Sequence, residues 1–274
     1  MNPLDPAQLA AKLKQAGLAP KKDLGQNFLI DNEVLASILA AAELAKTDHV
    51  VEIGTGPGTL TAELAQSAKH VTALEFDTPT FKFAQKELAE YKNIELLNLD
   101  VRRFEPPAEK YKLIANIPYY LTSPILRQFF VETEQRPQLT VLLIQKEVAK
   151  KIISRKGSVL AWQVRIFGEA AIVKIVPKEC FLPPPKVASA VIQIRLRAQP
   201  LIPTEDIAIF FQMLHVGFRA PRKKIGGSLI AGLPIEKDET RKLLAQSGVN
   251  TDQRPEDLSL DDWLALLPLL RSHV

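Results

Sequence analysis

The chain has 274 residues, 46% of them hydrophobic and 24% charged, an ordinary globular composition with room for one large domain or one large and one small. Its net charge of +4 permits a nucleic-acid partner without requiring one. A single cysteine, Cys180, excludes an intrachain disulfide and a cysteine zinc cage, and no apolar run approaches the ~20 residues of a membrane span.

The histidines His49, His70, His215 and His273 show no metal-ligand spacing, so no metal is expected. Met1 to Gly17 carries Asp5 and Lys12 without a continuous apolar core and does not read as a signal peptide. The expected setting is a reducing, cytoplasmic one. Residues 7–16 predict a short helix with lysines at 12 and 14. In the next stretch, Lys21, Lys22 and Gly25 precede the polar pair Gln26-Asn27 and the apolar triplet Phe28-Leu29-Ile30. By composition this is a basic loop entering a helix that Asp31 caps. Apolar residues at 34, 35, 38, 39 and 42 predict that helix over 34–44.

His49 to Ile53 predicts a buried strand that runs into Gly54-Thr55-Gly56-Pro57-Gly58, with a helix over 59–68 after it. A strand, a glycine turn and a helix bring backbone N–H groups close to a ligand and remove side-chain bulk. A dinucleotide fingerprint needs G-x-G-x-x-G. Here Thr59 stands at the third position and the extra glycine, Gly58, comes early. That spacing argues against a pyrophosphate-binding NAD site and suits a smaller, uncharged nucleoside.

The strand over 71–75 ends in Glu75, about twenty residues past the first glycine, where doubly wound folds place a carboxylate on ribose hydroxyls. A carboxylate can accept both hydroxyl protons. Asp77 is placed to cap a helix over 79–89. A third strand, 94–97, leads to Asp100, which suits an adenine amino group and equally suits a turn or cap.

A fourth strand over 112–115 delivers Asn116-Ile117-Pro118-Tyr119, and Pro118 forbids continuation of the ladder. A side-chain amide, a proline carbonyl and an aromatic ring thus stand just past a strand's carboxyl end, where open α/β sheets bind ligands. A helix over 123–130, a strand over 139–144, a basic helix face over 145–151, a helix over 158–167 and a strand over 171–176 follow. Phe181 to Val187 holds three prolines and reads as a stiff extended loop, with Phe181 either in the core or at a ligand. Residues 190–196 are expected to close the sheet as a seventh strand, and Pro200 and Pro203 mark a linker.

From Asp206 onward only helices are predicted, over 207–218, 239–246 and 258–270. The densest basic cluster, Arg219-Ala220-Pro221-Arg222-Lys223-Lys224, follows the first of them. A charge run is usually a solvated face, but beside an apolar helix it also suits phosphates. The expected organisation is an α/β domain over 1–199 and a small all-helical domain over 200–274.

A nucleoside-type glycine turn, a ribose acid, a second acid and the Asn116 turn together resemble a class I S-adenosylmethionine-dependent methyltransferase acting on an exocyclic amino group. Five stretches sharpen this: Gly25 to Leu29, Glu52 to Gly58, Asn116 to Tyr119, Gln145 to Ala149, and Phe181-x-Pro183-x-Pro185-Lys186-Val187. They occur in the order found in the ribosomal RNA adenine dimethyltransferases of the KsgA type, from about Pro20 to Leu229.

The resemblance implies a Rossmann-like catalytic domain with a small helical C-terminal domain. It implies dimethylation of two adjacent adenines in the loop of the 3′-terminal hairpin of small-subunit rRNA, within a pre-ribosomal particle, by a monomer. S-adenosylmethionine contacts are implied at Asn27, Leu29, Gly54, Gly56, Glu75, Asp100 and Asn116. Catalytic roles fall to Asn116, Pro118 and Tyr119, with Phe28 and Phe181 near the target base. RNA contacts are implied at Lys21, Lys22, Lys146, Lys186, Arg219, Arg222, Lys223 and Lys224.

The chain departs from the family pattern in three places. Phe76 stands where Ile is frequent, Leu99 precedes Asp100 where Gly is common, and Lys224-Ile225-Gly226-Gly227 lacks the usual threonine and asparagine. The macrolide-resistance methyltransferases of large-subunit rRNA share the glycine and Asn-Ile-Pro-Tyr motifs but generally lack the basic segment that Phe218 to Lys223 resembles. A mainly non-catalytic small-subunit assembly factor is a further alternative. DNA or protein amide-nitrogen methyltransferases typically carry a second proline where Ile117 stands.

Overall fold

The computed structural model describes residues 6–233 and 235–271, so His273 lies outside the described residues, as does Asp5. The chain divides into two compact units, Met1–Lys150 with Gly168–Arg197, and Lys151–Phe167 with Ala198–Val274. This grouping differs from one cut after residue 199, because residues 151–167 associate with the C-terminal segment.

In the first unit, α1 (Pro6–Gln15) precedes a two-residue strand, β1 (Phe28–Leu29). Next come α2 (Asn32–Ala42), β2 (His49–Ile53), α3 (Thr59–Ser67), β3 (His70–Leu74), α4 (Thr78–Glu87) and β4 (Ile94–Leu97). They are followed by β5 (Tyr111–Asn116), α5 (Thr122–Leu126), β6 (Leu139–Gln145) and α6 (Lys146–Ile153). After α7 (Val159–Arg165), which belongs to the second unit, the chain adds β7 (Gly168–Val176), a second two-residue strand β8 (Phe181–Leu182), and β9 (Ser189–Leu196).

The main sheet has seven strands in the order β4-β3-β2-β5-β6-β9-β7. The first five run parallel, while β9 pairs antiparallel with both β6 and β7. So β9 does not close the sheet; it is inserted between β6 and β7. Its composition explains the exchange. Ala190, Val191, Ile192 and Ile194 are fully buried, as an inner strand requires, whereas β7 carries Glu169 and Lys174 and shows an alternating exposed pattern. Charge suits an edge. Strand order reverses between β2 and β5, and such a switch point opens a crevice at the carboxyl ends of the strands.

Local signals set the element ends. Asp31 caps α2 by accepting the Val34 N–H at 2.9 Å, so the helix starts before its first apolar residue. Asp77 caps α4 through the Thr80 N–H and hydroxyl at 3.3 and 2.6 Å. The helix expected over 123–130 begins as α5 and continues as a π-helical turn over Arg127–Glu132. Val34, Leu35 and Ile38 of α2 and Leu60 and Leu64 of α3 pack on β2, β3 and β6 in the main core.

The second unit contains α8 (Ile207–Gly217), α9 (Ile225–Gly232), α10 (Lys237–Ser247) and α11 (Leu260–Leu270). Trp263 is fully buried and stacks on Phe218, ring centroids 5.8 Å apart. Helix α9 is not among the helices expected from the sequence, and it contains the pair Gly226-Gly227. Gly226 is a packing glycine, since a Cβ there would meet the Thr251 Cβ at 3.0 Å. Among the described residues no helix is long and apolar enough to cross a membrane, and no metal-ligating cluster forms.

Candidate active site

A cavity of about 320 Å³ is lined by the segments that follow β2, β3, β4 and β5, and by Leu24 to Leu29. The glycine turn after β2 has left-handed backbone at Gly54, Gly56 and Gly58, with φ of 82°, 55° and 90°. Glycine adopts this conformation without the Cβ clash that other residues meet. The Gly54 and Thr55 N–H groups donate to the Leu74 carbonyl at 2.9 and 3.1 Å, which pins the turn to β3. A Cβ on Gly56 would lie 3.3 Å from the Phe28 ring, so the turn leaves no space for a side chain on that side.

Glu75 is buried at the end of β3 and lines the cavity. One carboxylate oxygen accepts the Gly56 N–H and the other the Asp77 N–H, both at 2.9 Å. Burial raises its pKa, and the two amide bonds pull the other way. Each oxygen keeps a lone pair for a further donor.

Beneath the same turn lies Glu52, fully buried on β2. Neither carboxyl oxygen has a hydrogen-bond partner among the described residues, nor does the Thr61 hydroxyl that faces it. Desolvation pushes its pKa up to about 8, and the Glu75 charge adds to the rise. Burial thus favours the protonated, neutral form of Glu52. The sequence places it in a motif without marking a separate role for it.

Asn116 is the last residue of β5, half-buried, and its side-chain amide makes no hydrogen bond to protein among the described residues. The Pro118 carbonyl accepts the Leu121 N–H at 2.9 Å and retains one lone pair. The Tyr119 hydroxyl is 2.9 Å from Ser189 Oγ, and burial raises the phenol pKa. Gly25, also left-handed, seats against this turn, for a Cβ there would stand 3.2 Å from Pro118 Cβ. Asn27 donates to the Gly25 carbonyl at 2.9 Å.

The short strands β1 and β8 pair antiparallel, with Leu29 opposite Phe181 and Phe28 opposite Leu182. This pairing joins the N-terminal motif to the proline-rich one. Phe181 is 2% exposed, lies in the main core and reaches the cavity with one edge. Phe181 thus belongs to the core and also lines the cavity.

Asp100 caps a single 3₁₀ turn and is gripped by Arg102, with Nε at 3.0 Å and Nη2 at 2.5 Å. Those hydrogen bonds hold its pKa below the usual carboxylate range. Arg102, which no sequence pattern signals, therefore takes up part of the hydrogen-bonding capacity of Asp100.

A model of the ribosomal RNA adenine dimethylase family matches residues 17–271. The chain belongs to the ribosomal RNA adenine dimethylase family. The ribosomal RNA small subunit methyltransferase A of Dehalococcoides mccartyi is 37% identical over 268 residues, 95% of this chain and 91% of that protein. The protein of the same name from Bacillus licheniformis is 35% identical over 275 residues, 94% of each. The crystal structure of the 23S rRNA methyltransferase ErmE is 31% identical with a TM-score of 0.68, covering 89% of this chain and 100% of that one. A dimethyladenosine transferase from Plasmodium falciparum shares the fold, with a TM-score of 0.74 at 24% identity over 90% of this chain and 99% of that one. The family that the five motifs implied is the one found, and this member of it is a methyltransferase with an α/β domain and a helical C-terminal region.

In this adenine dimethylase the basic residues are distributed over both units. Lys21 is paired with Asp77, Lys22 and Lys186 are exposed, and Lys146 is half-buried. Arg219, Arg222 and Lys223 are exposed in the second unit, where Lys224 pairs with Asp252 at 2.9 Å. Three lining residues, Phe76, Arg102 and Tyr120, go beyond the site expected from the sequence. Tyr120 carries a signal, being a second aromatic directly after the motif; Arg102 carries none, since its place depends on the turn that Asp100 caps.

Proposed function

We propose that this enzyme transfers methyl groups from S-adenosylmethionine to N6 of two adjacent adenosines in the loop of the 3′-terminal hairpin of small-subunit rRNA, within a pre-ribosomal particle. The observation that carries the reading is the meeting of the Gly54 turn and the Asn116 turn in one cavity. The relatives named for the small subunit, matched over nearly the whole chain, support this substrate over the large-subunit one.

The residues present fit the cofactor. A side chain on Gly56 would fill the cradle against Phe28, and Glu75 keeps acceptor capacity for ribose hydroxyls. Asn27, Leu29, Gly54, Gly56, Glu75, Asp100 and Asn116 would hold it. When bound, it supplies a methyl group already activated on a sulfonium.

The task left to the protein is the nucleophile. An adenine amino nitrogen reacts poorly because its lone pair is delocalised into the ring. The Asn116 side-chain oxygen and the Pro118 carbonyl accept hydrogen bonds from the two amino N–H groups, which favours a pyramidal nitrogen and stabilises the positive charge developing there. Tyr119 stacks on the base, its hydroxyl anchored on Ser189. Phe181, nearly inaccessible, serves as a wall rather than a second stacking face. The turn carries no histidine or carboxylate to act as a base, so the proton shed by the methylated nitrogen leaves to water. After one transfer a single amino proton remains, so the second methylation requires the monomethyl product to rotate or rebind. The target base must leave its stack, at a cost of roughly a few kcal/mol that is smallest in a loop. The exposed Arg219, Arg222 and Lys223 of the helical unit contribute phosphate contacts.

The test is transfer of labelled methyl to unmethylated small subunits, large subunits and free rRNA, with the position mapped. Dimethyladenine in the small-subunit 3′ hairpin loop supports the reading. Label in the large subunit would replace it with the activity named for ErmE, and tight small-subunit binding without transfer would leave an assembly factor.

A further inference from the structure

Tyr120 and Phe76, at 61% and 59% exposure, are the two most exposed large hydrophobic side chains among the described residues, and both line the cavity. Tyr120 is not loose. It sits in the single 3₁₀ turn Tyr119–Leu121, which the Leu121 N–H closes on Pro118 and the Thr122 hydroxyl ties to the Tyr119 carbonyl at 3.1 Å. Its ring edge lies beside Gly25, where a Cβ would come within 3.8 Å of Cε1. The backbone therefore holds this ring in place while most of it stays open to solvent.

Among the described residues that line the cavity, Arg102 is the only cation. Its side chain is 71% exposed, and Asp100 fixes it through Nε and Nη2, leaving Nη1 without a partner among the described residues. Tyr120 and Arg102 line the same cavity. An open aromatic ring and a pre-positioned guanidinium lining one cavity, both largely solvent-exposed, have the chemistry of a nucleotide subsite: the ring stacks on any base and the cation meets a phosphate.

We propose that Tyr120 and Arg102 form a subsite for the nucleotide next to the target adenosine, with the tyrosine stacking on its base and the arginine meeting its phosphate. This rests on the functional reading above. The target amino group must reach Asn116 and Pro118, which assigns its base to Tyr119. The next residue, Tyr120, then faces what adjoins that base. Bases in a single-stranded loop are splayed and free to stack on protein aromatics.

The experiment compares wild type, Tyr120→Ala, Tyr120→Phe and Arg102→Gln for kcat and KM with unmethylated small subunits, and for S-adenosylhomocysteine affinity by calorimetry. Tyr120→Ala raises KM about tenfold, as loss of one base stack predicts, while S-adenosylhomocysteine affinity holds. Tyr120→Phe, which keeps the ring, restores most of that loss. Arg102→Gln makes the dependence of log KM on log salt shallower by ~0.7, one phosphate contact on a single strand. An unchanged KM in Tyr120→Ala, or a loss that appears in S-adenosylhomocysteine affinity instead, overturns the subsite. If the wild type labels large subunits only, the functional reading fails, and the same KM comparison on that substrate decides the subsite by itself.

Discussion

The Cβ that Gly54 lacks would stand 3.0 Å from the main-chain carbonyl oxygen of Asn116. The turn proposed for the cofactor and the turn proposed for the acceptor thus touch backbone to backbone. They do so because β2 and β5 are parallel neighbours, with Ile53 opposite Ala115 in the residues just before them. Gly54→Ala meets two penalties, the left-handed φ of 82° and this close approach. The strain alone is worth roughly 1–2 kcal/mol. The expected result is a cooperative unfolding transition at somewhat lower temperature, with methyl transfer abolished and S-adenosylhomocysteine affinity weakened. Wild-type kinetics in this variant would contradict the proposed meeting of the two turns.

Glu75 should act on the cofactor and not on the RNA. Glu75→Ala removes a buried acceptor and frees the Gly56 and Asp77 N–H groups that it now satisfies. Cofactor affinity is expected to fall by about 1–3 kcal/mol, read by calorimetry with S-adenosylhomocysteine, while KM for the subunit stays close to that of the wild type. Unchanged calorimetric affinity removes the ribose role.

Glu52 gives the protein a pH signature. Its folded pKa of about 8 is raised above the unfolded value near 4.5, so its contribution is fully present below about pH 4.5 and is lost as pH rises through 8. Between those values the folded state holds a proton that the unfolded state has released, and stability declines with pH. Glu52→Gln, neutral at every pH, should flatten the fall in thermal midpoint between pH 5 and pH 8. Parallel curves for the two proteins would mean that Glu52 is ionised in the fold.

Arg222 and Lys223 are exposed, whereas Lys224 already pairs with Asp252. Neutralising Arg222 and Lys223 together should reduce the slope of log affinity against log salt for small-subunit RNA. The expected reduction is ~0.7 for each phosphate no longer neutralised on single strands, up to ~0.9 on duplex. Lys224→Gln should have the smaller effect. A slope that stays fixed in the double variant rules out phosphate binding at these two residues.

The parts of the site legible in the sequence are those whose chemistry is local in the chain. The glycine turn after β2, Glu75 at the end of β3 and the Asn116 turn each announce themselves within a few residues, through a strand ending and a special residue type. Asp31 and Asp77 are legible as caps for the same reason. What stays hidden depends on distant partners. Two-residue strands such as β1 and β8 have no periodicity to detect, yet their pairing brings Leu29 to Phe181. The Ser189 anchor of Tyr119 joins residues 70 positions apart that no local pattern links; the Arg102 grip on Asp100 spans only two positions, but the single 3₁₀ turn that makes it has no periodicity to detect. The position of β9 follows from burial on both faces, which its apolar run suggests but does not order relative to β7.

Asn116 is the residue on which the proposed chemistry depends most. The decisive measurement is the single-turnover rate of methyl transfer from S-adenosylmethionine to unmethylated small subunits by wild type and Asn116→Ala, with unfolding and subunit binding followed in parallel. Loss of one pre-positioned group that stabilises developing charge predicts a rate lower by about 10²-fold or more, with the fold and subunit binding retained. A rate within a few-fold of wild type would take Asn116 out of the chemistry and contradict the mechanism built on it.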